Sequence, residues 1–480
     1  MKESSKFYSS LGLLIILNII IKPLWIFGID RQVQNAVGTE AYGIYFSLFN
    51  FSIVFSFLLD WGLTAFFNRQ LAAGEQNFID KAGSFLFIKL VFAIFYTVIV
   101  LGIAYLSGVR EWDILIGVIA IQILTSLFIF LRSIITAQQW FSTDAWLSVL
   151  DKGLMILLCG SFFYIPSLSG KISIKLFLEI QAICTGLAVI FTFVILFKKG
   201  IRLSLKNSFP GKEVIKPAFP FAVIILLMSV HYRLDGFMLE RIHTNGAYEA
   251  GLYAGAYRLL DASNMIGYLL ASFLLPFIAR QWSQGSSITE AVINSRHLLL
   301  VFSLFIICTT VFFAPWIQQI LYHNIDMAGI EILQWCLPVL FSYSLVQVYG
   351  TVLTATGRVV EFCYITLLAV ILNVLLNVLL IPVYGAKGCC IAALISQGLC
   401  GMVTMLYVKK KAGINIHLRS GLMYIFIGVT IAGFYYLCRD MIISKWLLII
   451  AAGFITILAA IIFKLIDIKK WRNIITYNNS

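Results

Sequence analysis

The sequence predicts an all-α polytopic membrane protein of about fourteen transmembrane helices, arranged as two six-helix lobes plus two C-terminal helices, with both termini cytoplasmic. Three observations carry this reading. Of 480 residues, 61% are hydrophobic and 12% charged, about half the charge of an ordinary soluble domain. The apolar residues fall in repeated blocks of about twenty, the length that crosses a hydrocarbon core about 30 Å thick as helix, and the alternation expected of half-buried strands is absent. The basic residues favour alternate loops, which sets an orientation.

The first span, near 10–29, follows Lys2 and Lys6 as a signal peptide would. It is too long for one and lacks a small-residue cleavage site, so it reads as an uncleaved helix. Further spans fall near 42–67, 83–106, 112–131, 145–165, 174–197, 217–239, 249–279, 298–321, 330–356, 362–382, 388–408, 421–438 and 446–463. With the N-terminus inside, Lys198, Lys199, Arg202, Lys206, Lys212 and Lys216 share one cytoplasmic loop. Lys409, Lys410, Lys411 and Arg419 form a second cluster, and Lys464, Lys469, Lys470 and Arg472 a third. The net charge of +13 therefore reports topology, not an affinity for nucleic acid.

The long basic loop divides the chain into an N-terminal six-helix lobe with its linker at 1–216, a C-terminal six-helix lobe at 217–411, and two additional helices with a cytoplasmic tail at 412–480. A repeat supports the division. Gly38, Glu40-Ala41 and Gly43-Ile44-Tyr45 head the second span, and Gly246, Glu249-Ala250 and Gly251-Leu252-Tyr253 head the eighth. These are equivalent positions if spans one to six repeat as seven to twelve, an architecture in which transporters bind substrate between the halves.

The predicted loops are too short for a soluble catalytic domain. No phosphate-binding Gly-rich loop, no His pair at metal-ligand spacing and no Gly-x-Ser-x-Gly turn is present, so the sequence implies no ATPase, cofactor or metal. The nine cysteines lie inside apolar blocks and read as small hydrophobes. A membrane-embedded transferase would place carboxylates at outer loops, where Asp30 with Glu40, or Glu111 with Asp113, are the candidates.

Charges inside the spans carry more information, because each costs about 2.5–3.5 kcal/mol on insertion scales unless paired, hydrated or able to reach the interface. Lys89 and Lys152 lie near cytoplasmic ends and are expected to snorkel, Lys152 beside Asp151. Lys175 and Glu179, four apart, are expected to pair. Lys22 is about twelve residues into the first span, too deep to snorkel, and Pro23 opens polar backbone beside it. The seventh span carries His231, Arg233 and Asp235, and the eighth carries Arg258 and Asp261. His231 with Asp235, and Arg258 with Asp261, share helix faces. They form either an ion-pair network that fixes packing or a hydrated cationic cavity suited to a pyrophosphate. Asp60, with Arg69 soon after, reads as a salt bridge or cap at the inner surface, or as a gate. Pro23, Pro217, Pro220, Pro276, Pro315 and Pro338 predict bent or interrupted helices.

From about Leu11 to Lys411 the chain resembles the O-antigen and capsule repeat-unit flippases of the multidrug/oligosaccharidyl-lipid/polysaccharide exporter superfamily. The resemblance rests on Gly38, Glu40, Tyr42-Gly43 and Tyr45, followed by Asn50, Asp60 and Gly62-Leu63. Arg233, Asp235 and Met238-Leu239 close the seventh span, and Gly251, Tyr253 and Tyr257-Arg258 open the eighth. Leu353-Thr354-Ala355-Thr356-Gly357-Arg358, Asn373, Asn377, Ile381-Pro382, Tyr384-Gly385, Gly388 and Ala392-Ala393 follow.

The resemblance implies translocation of an undecaprenyl-pyrophosphate-linked oligosaccharide across the bacterial inner membrane by alternating access, driven by an ion gradient or the membrane potential. It implies head-group contacts at Arg233, Arg258 and Lys22, with Asp235, Asp261 and His231 orienting them or carrying a coupling proton. It also implies membrane lipid and a polysaccharide polymerase as partners. The last two helices would offer the lipid tail a groove, as in the related lipid II flippases. Rival readings are an ion-coupled multidrug or metabolite antiporter, expected to have an acidic cavity, a lipid II flippase, and a membrane glycosyltransferase or polymerase.

Overall fold

The computed structural model describes residues 2–64, 67, 71, 79, 81–165, 170–201, 203, 212–323, 326–414, 418–439 and 444–465. Among the described residues all regular structure is helical. The elements are α1 (Lys2–Trp25), a π-turn (Ile26–Asp30), α2 (Arg31–Val37), α3 (Thr39–Val54), α4 (Phe57–Asp60), α5 (Ala82–Leu106), α6 (Trp112–Ala137), α7 (Phe141–Tyr164) and α8 (Ile174–Lys198). There follow α9 (Lys212–Ile242), α10 (Gly246–Ser283), α11 (Thr289–Leu321), α12 (Met327–Cys336), α13 (Val339–Ala355), α14 (Val359–Ala412), α15 (Leu418–Cys438) and α16 (Lys445–Ile462).

Among the described residues twelve helices are long and apolar enough to cross a membrane. The 54-residue α14 is about 81 Å long at helical rise, more than one crossing needs. Pro382 and Gly385 interrupt it, the glycine at φ 53°, ψ −132°, where a side chain would be strained. It therefore supplies the eleventh and twelfth predicted spans. The second is shared by α3 and α4, which part at Phe55. With these the helices follow the predicted spans in order.

Large apolar side chains remain exposed along many of them, including Ile94, Phe95, Leu157, Leu368, Leu379, Ile425 and Phe454. Water would reject such a surface, and hydrocarbon accepts it. The protein is a multi-pass membrane protein.

The chain forms two compact units. The first takes in Met1–Arg241 with Asn245–Gly251, and the second Ile242–Thr244 with Leu252–Ser480. The boundary between these units lies at the end of α9. The reason is packing: Phe237 stacks on Phe51 of α3 at 4.4 Å, and Gly236 lies so close to Phe46 and Asn50 that a Cβ would fall 2.9 Å from each.

Within the first unit, α1 packs on α7, α8 on α6 and α7, and α3 on α6. The two related sequence passages also meet here. A Cβ on Gly43 would fall 1.9 Å from the Ala247 carbonyl oxygen, and a Cβ on Gly251 would fall 2.0 Å from the Thr39 carbonyl oxygen. The same offset separates Thr39 from Ala247 as separates Gly43 from Gly251. Glycine is required on both sides for the backbones to approach.

In the second unit, α13 runs along α14, and α11 carries α12, α13, α15 and α16. Thr309 meets Tyr435 at 2.9 Å, and Trp316 lies edge-on to Trp446 at 4.8 Å. The last two helices are therefore packed on the ninth predicted span. Phe313, just before Pro315, leaves helical geometry at φ −108°, ψ 17°.

Candidate substrate-binding cluster

Lys22 lies in the last turn of α1, followed by Pro23 and then by the π-turn. Proline removes one backbone donor, and a π-turn widens the helix, so carbonyls near Lys22 are less tightly committed. Facing this turn, α6 and α7 bring two ion pairs. Arg132 Nε donates to Asp144 Oδ1 at 2.8 Å, and Lys152 Nζ donates to Asp151 Oδ2 at 3.2 Å. Lys152 also sits 4.6 Å over the Trp25 ring. One turn before Lys22, Asn18 Nδ2 donates to Ser148 Oγ at 2.8 Å.

Lys22 itself is partly buried, and its charged neighbours are Arg132, Asp151 and Lys152. Among the described residues it makes no ion pair. The cluster thus holds three cations against two carboxylates and has one positive charge to spare. An arginine fork and two ammonium groups around a polar seam can bind an anion such as a phosphate.

Arg233 is partly exposed on α9, while His231 and Asp235 on the same helix are buried, so helix periodicity puts the arginine on a different face. All three belong to the first unit. Arg258 and Asp261 are partly exposed on α10 and belong to the second.

Three expectations are corrected. Lys89 does not snorkel. Its side chain is 1% exposed and its ammonium meets Asp60 Oδ1 at 2.5 Å, because α5 presents it to α4 and a buried ammonium needs a carboxylate. Asp60 also accepts from the Thr64 backbone and hydroxyl, which makes it both salt bridge and cap; Arg69 lies outside the described residues. Lys175 and Glu179 are both exposed and do not form an ion pair, since water screens such a pair and side-chain entropy opposes it. Asp30 is not a loop acid. The helix continues past it to Val37, and its buried carboxylate accepts from the Tyr42 hydroxyl at 2.7 Å.

Two constellations were missed. Arg132 and Asp144 fall in a predicted loop, but α6 and α7 extend over them. In the second unit Arg296 of α11 is buried, and its Nη1 donates to the Tyr349 hydroxyl at 3.3 Å. Its neighbour His297 reaches α15, with Nδ1 2.6 Å from the Tyr424 hydroxyl. Among the described residues no group of three or more His, Cys, Asp and Glu could hold a metal ion.

No protein-family model matches the chain. An uncharacterised membrane protein of Methanocaldococcus jannaschii is 24% identical over 396 residues, 78% of this chain and 92% of that protein. Among solved structures, the lipid II flippase MurJ in an inward closed conformation superposes with a TM-score of 0.70 at 14% identity, covering 96% of this chain and 99% of its own. An inward-facing multidrug resistance transporter of the MATE family, in the MOP superfamily, gives 0.66 at 14% identity, covering 81% and 94%. A MOP superfamily transporter from Pyrococcus furiosus, described as having a binding pocket of reversed polarity, gives 0.65 at 15% identity, covering 85% and 96%. The chain has the fold that these transporters and the flippase share.

Proposed function

We propose that this protein is a flippase that moves undecaprenyl-pyrophosphate-linked oligosaccharide repeat units from the cytoplasmic to the periplasmic leaflet of a bacterial inner membrane, by alternating access, for O-antigen or capsular polysaccharide synthesis. The observation that carries the reading is the unmatched positive charge at Lys22 beside Arg132 and Lys152. A pyrophosphate cannot cross hydrocarbon bare, and a partly buried site with a surplus cation lowers that barrier for the head while the tail stays in apolar surroundings.

Arg233 and Arg258 are proposed as further head-group contacts, because guanidinium binds phosphate oxygens in pairs. Asp235, Asp261 and His231 orient them or carry a coupling proton, and Asp60, held by Lys89, serves as a gate. A polysaccharide polymerase would receive the product. The likeness to MurJ over 96% of the chain includes the last two helices and favours lipid II as the second candidate substrate.

The test is reconstitution in proteoliposomes with an undecaprenyl-pyrophosphate oligosaccharide, following its accessibility at the opposite leaflet. Wild type is expected to translocate, and Lys22→Ala or Arg233→Ala with Arg258→Ala to lose most of the rate while remaining folded. Movement of an organic cation against a proton or sodium gradient, with the lipid left in place, would establish an antiporter instead.

A further inference from the structure

The helices that carry the charged cluster have a second, apolar side. Leu17 and Ile21 of α1 with Trp146, Leu150, Leu154 and Leu157 of α7 line a groove of about 520 Å³, and Ile195 of α8 completes it. Its polar members are Ser142 and Thr143. Gly153 borders open space, since a Cβ added there would find no atom within 4 Å.

We propose that this groove holds the polyprenyl tail of the lipid-linked substrate while the pyrophosphate engages Lys22 and its neighbours. The inference rests on the flippase reading above and adds where the tail lies. Groove and cluster are built on the same turns. Ile21 precedes Lys22, and Leu150, Asp151, Lys152 and Gly153 are consecutive. A helix is about 10–12 Å across with its side chains, so one lipid can set its phosphate on the charged side, pass its first isoprene unit around the helix and lay the following units in the groove. The lining matches that chemistry. An isoprene chain has no polar atom to satisfy, and its branched methyls suit aliphatic side chains and the Trp146 ring, which is 60% exposed. Charge complementarity to a pyrophosphate, on the same helical turns as the apolar groove, distinguishes this occupant from an ordinary phospholipid chain. The site lies on the first and fifth predicted spans, not on the last two helices.

The experiment measures binding of undecaprenyl pyrophosphate and of dimethylallyl pyrophosphate, which has the same head on one isoprene unit, to the purified full chain. Wild type is expected to prefer the long-tailed compound by about tenfold or more. Gly153→Trp fills open space, so it is expected to fold and to erase that preference without changing the affinity for the short compound. Lys22→Ala is expected to weaken both. If Gly153→Trp leaves the preference intact while Lys22→Ala weakens both, the tail site is wrong and the flippase reading stands. If wild type binds neither compound, the flippase reading fails and takes this inference with it. A second measurement needs no variant: undecaprenyl pyrophosphate with a diazirine in its tail should crosslink to Trp146, Leu150 or Leu154. Crosslinks confined to α15 and α16, or a pattern equal to that of a diazirine phospholipid, would overturn the proposal.

Discussion

The two units hold cations among their helices differently. In the first, Arg132 and Lys152 each meet a carboxylate, and Lys22 is left over. In the second, Arg296 donates to the Tyr349 phenol, and among the described residues it forms no ion pair and its Nε has no hydrogen-bond partner. A carboxylate stripped of its cation stays charged in a medium that penalises charge, whereas a phenol stripped of its cation is merely a neutral hydroxyl. The first arrangement specifies electrostatics. The second ties α11 to α13.

This contrast can be broken by measuring unfolding of the detergent-solubilised protein. Arg132→Met strands Asp144, whose side chain is 5% exposed, and is expected to cost about 3–5 kcal/mol, with Asp144→Asn in the same chain recovering most of it. Arg296→Met leaves the Tyr349 hydroxyl without a cation and is expected to cost about 1–3 kcal/mol, with faster amide exchange in α13. If Arg296→Met proves the more damaging of the two, the distinction drawn here is wrong.

Smaller effects sharpen it. Tyr424→Phe removes the hydroxyl bonded to His297 Nδ1 and is expected to cost about 1 kcal/mol. Lys22→Met breaks no ion pair, so its stability should stay within about 0.5 kcal/mol of wild type while lipid translocation falls sharply. A large loss of stability in Lys22→Met would mean that the lysine is structural.

Helical class and span order were legible because burial in hydrocarbon forces long apolar runs, and such runs are local in sequence. Partners were not. Lys89 and Asp60 are 29 positions apart, and no periodicity links them. Arg132 and Asp144 were hidden because polar residues at span ends look like loop, although both helices continue through them. Asp30 was misplaced for the same reason, since a π-turn carries the helix past a polar stretch that reads as its end. Arg296 and His297 sit a turn or two inside α11, where a cation is taken to reach water; a Ser-Arg-His run bordered by apolar residues at three and four positions on was the available signal. The repeat was legible only as a few small residues, and the structure supplies its reason in the close approach of Gly43 and Gly251.

That approach is self-complementary. Thr39 does for Gly251 what Ala247 does for Gly43, as when two copies of one chain meet across a twofold axis. One consequence is that the two glycines are not independent positions. A side chain at either wedges the same crossing and separates the same two backbones.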